Sequence, residues 1–435
     1  MNKTLAIKGT GFNDISLLVS DLPPREGFQA GDVVTLNFSA NQFVFLTGLV
    51  LLATWRKSLA SGVTVKVDDH FLHPSAQSLL TNSGFREILE TGHETPSVQR
   101  RSGKLPLRPL TNRLGKEATV QEVTSILEDE LGSSRDLKPF STLLSEVCEN
   151  ALTHSEFASP GYVSARVMER DGTLELAVCD SGIGFRNSYL AGTNEELKER
   201  IRRGANPIEI AVQGLNSSKP TRMPGSNVSY YGFGLYITRR LVEMNQGRLM
   251  IVSGKDVLHI ERGSQRHYEA KAPFQGTFVC MVLDLSAPLP LEEIYSEATD
   301  LYIPSSVSRQ TQVGAVASKP AEVMPPSITV VDANNDVSGE ALVELRHFGT
   351  ELLTRETGLA IRAEIATKLL SFEVVAVNLD GVTDVTPSVA DEAFGKLAVA
   401  LGQGVFDKAV RFVGGSSLVN RLIEFVLKTR ASKST

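Results

Sequence analysis

Apolar positions near the start of the chain come in short β-branched runs separated by longer apolar stretches. "VVTLNFS" at 33–39 has the composition of a strand. "FVFLTGLVLLATWRKSLASG" at 43–62 is apolar almost without a break as far as Trp55, which predicts a buried helix closed by Gly62. "VTVKVDD" at 63–69 reads as the next strand, and "HPSAQSLLTNSG" at 73–84 as a shorter helix beginning near Ser75. Alternation of this kind predicts a small α/β unit over residues 1–97.

The pattern changes further along. "EATVQEVTSILEDELG" at 117–132 has helical spacing stopped by Gly132, and "LKPFSTLLSEVCENALTHS" at 137–155 is a second helix. "YVSARVMERDGTLELAVCD" at 162–180 reads as a hairpin turning at Asp171-Gly172. After a polar stretch, "LYITRRLVEMN" at 235–245 predicts a helix with Gly247 as its cap. Residues 303–326 are rich in Ser, Pro and small side chains and read as a linker. Strand and helix signals then resume over 327–435: "SITVV", one or two helices within 339–371, "VVAVNLDGV", a helix at 387–404, and a closing strand and helix at 409–427.

Composition narrows the class. An apolar share of 42% and a charged share of 22% are those of a globular chain, and 435 residues suffice for about three domains. The net charge of −6 argues against a general nucleic-acid partner. Residues 98–116 carry six basic and no acidic side chains; they read as a solvated joint, or as a phosphate-binding arm lacking aromatic residues for base stacking. Three cysteines, Cys148, Cys179 and Cys280, lack metal-ligand spacing and sit in apolar surroundings, as buried reduced thiols do. With no apolar signal core and no run long enough to span a bilayer, the expectation is a protein of the reducing cytoplasm with no membrane partner.

Candidate chemistry lies in the middle segment. "SEVCENALTHS" at 145–155 places Glu146, Asn150 and His154 at spacings of four, along one helix face. Such a row is either a solvated face or a site for a magnesium nucleotide. "LAVCDSGIGF" at 176–185 ends a strand at Asp180 and follows it with Gly182 and Gly184. A carboxylate there can accept from an exocyclic amine such as that of adenine, and the glycines admit a ring or phosphate close to the backbone. In "YYGFGLYITRRLVEMNQGR" at 230–248, Gly232 and Gly234 open a helix whose free N–H groups suit phosphates, though no Walker lysine follows. Each motif alone is weak.

Taken in order, E-x-x-x-N-A-x-x-H, D-x-G-x-G, G-x-G-L and the "GTF" at 276–278 resemble the GHKL ATPase superfamily over about residues 120–286, with "SEVCENALTHS" most similar to the anti-sigma-factor kinases. The resemblance implies an α/β sandwich with helices on one face of a mixed sheet, spanning 117–290, and ATP and magnesium as ligands. It implies that Asn150 holds magnesium, that Glu146 orients or deprotonates the nucleophile, and that Asp180 binds the adenine amine. Gly182 and Gly184 would make room for the nucleotide, Gly232, Gly234 and Leu235 would open the phosphate-binding helix, and Thr277 would support the adenine contact. Residues 186–231 fall where the family has its lid. There Lys219 or Arg222 either neutralises the γ-phosphate or is a solvated charge, and His154 is either a helix-end cap or catalytic.

The flanks, 1–97 and 327–435, resemble STAS domains, the first loosely, the last through "LLTRETGLAIRAEI" and "VNLDGVTDVTPSVADEAFGKL". That family's phosphorylated D-S-S-G turn is absent: Thr386, Pro387 and Ser388 occupy the region in one, Phe45, Leu46 and Thr47 in the other. The flanks are therefore expected to dock a protein partner or a second copy of the chain. Three outputs stay open: an ATPase switch, a serine/threonine kinase acting on a separate antagonist, and a nucleotide-sensing scaffold without hydrolysis. The middle segment is expected to bind ATP by itself.

Overall fold

The computed structural model describes residues 2–39, 43–92, 103–132, 136–154, 161–192, 194–213, 234–291, 293, 294, 297, 340–352 and 355–431. The expected linker at 303–326, the strand "SITVV" and the part of the lid region from 214 to 231 lie outside the described residues. The described residues up to 290 form one compact unit and those from 291 a second.

The first unit begins with β1 (Asn2–Ala6), α1 (Ile15–Asp21), β2 (Val33–Asn37), α2 (Leu46–Ser58), β3 (Thr64–Asp68), α3 (Pro74–Asn82) and α4 (Phe85–Thr91). The strands form a parallel sheet in the order β1-β2-β3, joined by helical crossovers. Every residue of α2 from Leu46 to Trp55 is buried. The helix ends at Ser58, four residues before the expected stop; Gly62, at φ 89°, instead turns the chain into β3.

The middle segment adds β4 (Lys104–Leu110), α5 (Arg113–Leu131), α6 (Lys138–His154), β5 (Gly161–Met168), β6 (Thr173–Asp180), α7 (Gly184–Ala191), α8 (Glu195–Arg202), α9 (Pro207–Val212), α10 (Gly234–Met244), β7 (Arg248–Glu261) and β8 (Ser264–Asp284). Its five strands form an antiparallel sheet in the order β4-β5-β6-β8-β7. The β5–β6 hairpin closes from Met168 to Thr173, around the expected Asp171-Gly172 turn. β7 and β8 close through Arg262 and Gly263, both at positive φ, as a two-residue hairpin loop requires.

The basic stretch is not a solvated joint over its full length. Residues 104–110 form β4, the edge strand, and Asn112 caps α5 by accepting from Gly115 N at 2.8 Å. Its charges are used internally: Arg108 grips Glu122 of α5 through Nε (2.9 Å) and Nη2 (2.6 Å), and Lys116 pairs with Glu149 of α6 at 2.9 Å while almost buried.

The five-stranded sheet is covered on both faces. Val178 of β6 lines a cavity with Val147 and Ala151 of α6 and Leu235 of α10. Ala177 and Cys179, one residue out of phase, join a single cluster with Phe278, Cys280 and Val282 of β8 and the apolar residues of α1, α2 and β2. The first segment is thus a second layer on the five-stranded sheet. This explains why α2 lacks an apolar stripe: it is buried between two sheets and needs no polar face. A buried hydrogen bond crosses the layers, from the Thr47 hydroxyl to Glu175 Oε1 at 3.0 Å. All three cysteines are buried, and burial pushes the Cys148 thiol up to about 12.

The second unit holds β9 (Ala341–Glu344), β10 (Glu351–Leu352), α11 (Arg355–Leu369), β11 (Val375–Asn378), β12 (Asp384–Val385), α12 (Pro387–Ala390), α13 (Lys396–Leu401), α14 (Gln403–Ala409), β13 (Val410–Val413) and α15 (Ser417–Ala431). Its main sheet is parallel, in the order β13-β11-β9. A π-helical turn at Asp391–Gly395 joins α12 to α13. There the buried Asp391 receives Arg430 of α15 in a bidentate pair, Nε to Oδ1 at 2.7 Å and Nη2 to Oδ2 at 2.8 Å. No helix among the described residues is long and apolar enough to cross a membrane.

Candidate nucleotide site

α6 carries the first part of the site. Leu143, Leu144, Val147, Cys148 and Ala151 bury its apolar face, leaving Glu146 and Asn150 half-buried and one turn apart. The start of α10 lies directly against them. A Cβ placed on Gly234 would stand 2.7 Å from Glu146 Oε2 and 3.1 Å from Asn150 Nδ2, so any side chain here would push the row aside. The same close approach brings the positive end of α10 to the row. Asn150 Nδ2 is buried with no hydrogen-bond partner among the described residues. An amide can present nitrogen or oxygen at such a position by turning over, and an unmet amide beside a helix N-terminus suits a cation–phosphate pair.

Asp180 ends β6 on the same side of the sheet. Its Oδ1 accepts from Gly182 N at 2.8 Å and from Thr277 N at 3.2 Å, so the loop after β6 and the facing residue of β8 both hold it. Burial pushes its carboxyl up to about 7, against the opposing pull of the Gly182 and Thr277 hydrogen bonds. Asn150, Asp180 and Thr277 share one cavity, whose remaining walls are apolar, among them Val147, Ala151, Phe185 and Leu235. A polar edge with apolar faces matches a flat heteroaromatic ring carrying an amine. The cavity itself is about 20 Å³, room for about one water.

Gly184, at φ 71°, starts α7, and a Cβ on it would lie 2.7 Å from Ser253 Oγ. Ser253 of β7 is a residue that the motifs do not reveal. Its Oγ accepts from Phe185 N at 2.9 Å and donates to Gly276 O at 3.2 Å, clamping the glycine loop to β8. The only sequence hint is a Ser-Gly pair, "SG" at 253–254, inside a strand pattern.

The structure therefore brings Asn150, Asp180, Leu235 and Thr277 around one cavity, with Glu146 and Gly234 beside it and Gly182 and Gly184 in the loop that holds Asp180. Gly232, Lys219 and Arg222, and the side chain of His154, lie outside the described residues. No group of three or more His, Cys, Asp or Glu side chains able to hold a metal occurs among the described residues.

No curated protein matches the chain. Residues 135–287 match the family model of the histidine kinase-, DNA gyrase B- and HSP90-like ATPases. The matched span runs from α6 to the end of β8 and contains the whole cavity. Residues 135–287 of this chain are a GHKL-type ATPase domain, a type that binds ATP.

Proposed function

We propose that the chain binds ATP with magnesium in this cavity, hydrolyses it, and uses the nucleotide state to control what its flanking segments bind. The observation that carries the reading is the meeting of α6 and α10: an acid, an unmet buried amide and a glycine-opened helix N-terminus within contact of one another. A purely adenine-binding pocket has no use for Glu146 in that place.

In the mechanism, Asp180 accepts from the adenine amine through the carboxylate oxygen not taken by the Gly182 and Thr277 amides. The glycine loop lets the ring approach, and the N-terminus of α10 receives the phosphates. Asn150 would hold magnesium, which neutralises charge on the phosphoryl oxygens. Glu146, one turn earlier, orients a water for attack and takes its proton. The first and last segments, read as STAS-like, serve as docking elements for a protein partner.

The reading includes no self-phosphorylation of the flanks. Thr47 is fully buried beneath the nucleotide sheet, and the Ser388 hydroxyl lies 2.9 Å from that of Thr386, the cap of α12. Incubation of the full chain with γ-labelled ATP, with and without cell extract, separates the outputs. Free phosphate from the pure chain is expected. Label appearing only on a protein of the extract would replace the ATPase reading with a kinase, and neither product would leave a nucleotide-sensing scaffold.

A further inference from the structure

A second cavity, of about 680 Å³, lies on the far side of the glycine loop from the nucleotide site, between the first segment and the outer part of the β7–β8 ribbon. That volume is typical of small-molecule sites. A break in strand pairing opens it. Gly254 pairs with Phe274, but the ladder resumes only at Asp256 with Glu269, so residues 270–273 stand opposite Lys255 alone, with Ala270 buried in the core and Lys271 N donating to Ser20 Oγ of α1 at 3.1 Å. Bulges of this kind re-aim side chains beside functional sites, and Pro273, which has no N–H to donate, tolerates one. Leu22, Pro23 and Trp55 of the first segment form an apolar wall facing Phe274. The indole is held in place by its Nε1 donating to Pro23 O at 3.0 Å.

The charges around this cavity point to the ligand. Arg25 is paired with Glu26 at 3.2 Å, and Arg186 with Asp256 at 3.5 Å. Lys255 and Glu269 also line the cavity; both are exposed, neither is ion-paired among the described residues, and Glu269 adds its negative charge to that of Asp256. One lone cation and one lone anion thus stand on adjacent strands beside an aromatic and proline wall. A ligand with a single charge would satisfy one and leave the other. We propose that this cavity is a ligand site for a zwitterion with an apolar body, an amino acid or short peptide, its carboxylate on Lys255 and its ammonium on Glu269. Ile183 and Gly184 form part of the same wall, and Ser253, which also lines it, holds the amide of Phe185, a wall of the nucleotide cavity. Occupancy therefore biases the loop that carries Asp180; this coupling rests on the nucleotide reading, whereas the ligand site does not.

Calorimetry on the full chain without nucleotide tests the site. Phenylalanine, leucine and a Phe-Leu dipeptide are compared with phenethylamine and phenylpropionate. At least one zwitterion is expected to bind more tightly than both single-charge analogues, with Lys255→Met and Glu269→Gln each weakening it roughly fivefold. Equal binding of either analogue, no binding of any probe at millimolar concentration, or unchanged affinity in both variants would overturn the site. The coupling is read separately, as a shift in ATP affinity at saturating zwitterion that Ser253→Ala removes. Unchanged ATP affinity would overturn the coupling alone.

Discussion

Asp180 has two pH dependences of opposite sign. Its folded value, about 7, lies above the ordinary 3.8. Its contribution to stability is therefore full when the carboxyl is protonated and is lost as pH rises from about 4 through 7. Its contribution to binding runs the other way. Oδ1 already accepts two amides, so a proton goes to the other oxygen and sets a donor against the donating adenine amine. ATP affinity is expected to rise between pH 6 and pH 8, and Asp180→Asn to flatten that rise and weaken binding by ~1–3 kcal/mol. Titration calorimetry across that range checks both; a flat wild-type profile would remove Asp180 from the adenine contact. Glu146 and Asn150 should fail differently although they are neighbours. Asn150→Ala is expected to lose magnesium-dependent ATP binding and turnover together. Glu146→Gln should keep ATP bound and slow hydrolysis by ~10²–10⁴-fold. Wild-type turnover in folded Glu146→Gln would return the row to a solvated helix face.

At the scale of elements, the contact between α10 and α6 and the contact between α15 and the π turn make separate claims. Gly234→Ala places a methyl within 2.7 Å of the Glu146 carboxylate. A helix start tolerates alanine, so the expected result is a folded protein whose ATP affinity falls at least tenfold, measured against an unchanged unfolding midpoint for the first unit. Retained affinity would show that the row need not touch the start of α10. In the second unit, Asp391 is completely buried and Arg430 nearly so, each neutralising the other. Arg430→Ala leaves a buried carboxylate alone and should cost ~3–5 kcal/mol in denaturant unfolding of that unit. The paired change Asp391→Asn with Arg430→Met removes both charges and should cost much less. Equal losses in the two would mean that packing, not charge, holds α15.

For the molecule, the shared core changes which pieces are expected to stand alone. The first segment covers Tyr162, Ala177, Cys179, Phe278, Cys280 and Val282 of the nucleotide sheet. A fragment of residues 117–290 would expose that face and also lack β4. It is expected to aggregate or bind hydrophobic dyes, and to bind ATP poorly, contrary to the reading of a self-sufficient middle segment. A fragment of residues 1–290 should unfold cooperatively in one transition. Two well-separated transitions in that fragment would show that the layers are independent.

Local order in the chain was enough to reveal much of this architecture. The hairpin at Asp171-Gly172, the stop at Gly132 and the helix beyond Gly234 each depend on turn or cap chemistry within a few residues, so their signals are readable in place. The ordered motifs Glu146, Asn150, Asp180 and Gly234 were readable because adjacent backbone must present them at set spacings. Other features needed the folded chain. Ser253 acts on a loop 68 residues away and carries no local mark. Residues 98–116 look like a solvated basic joint until β5 pairs with 104–110 and Glu122 and Glu149 neutralise Arg108 and Lys116. The uninterrupted apolar run of α2 shows that the helix is buried, but not against what. Only the tertiary structure decides that it lies on the nucleotide sheet, because burial of apolar surface is non-directional, and the partner is whichever face is left uncovered when the strands have paired.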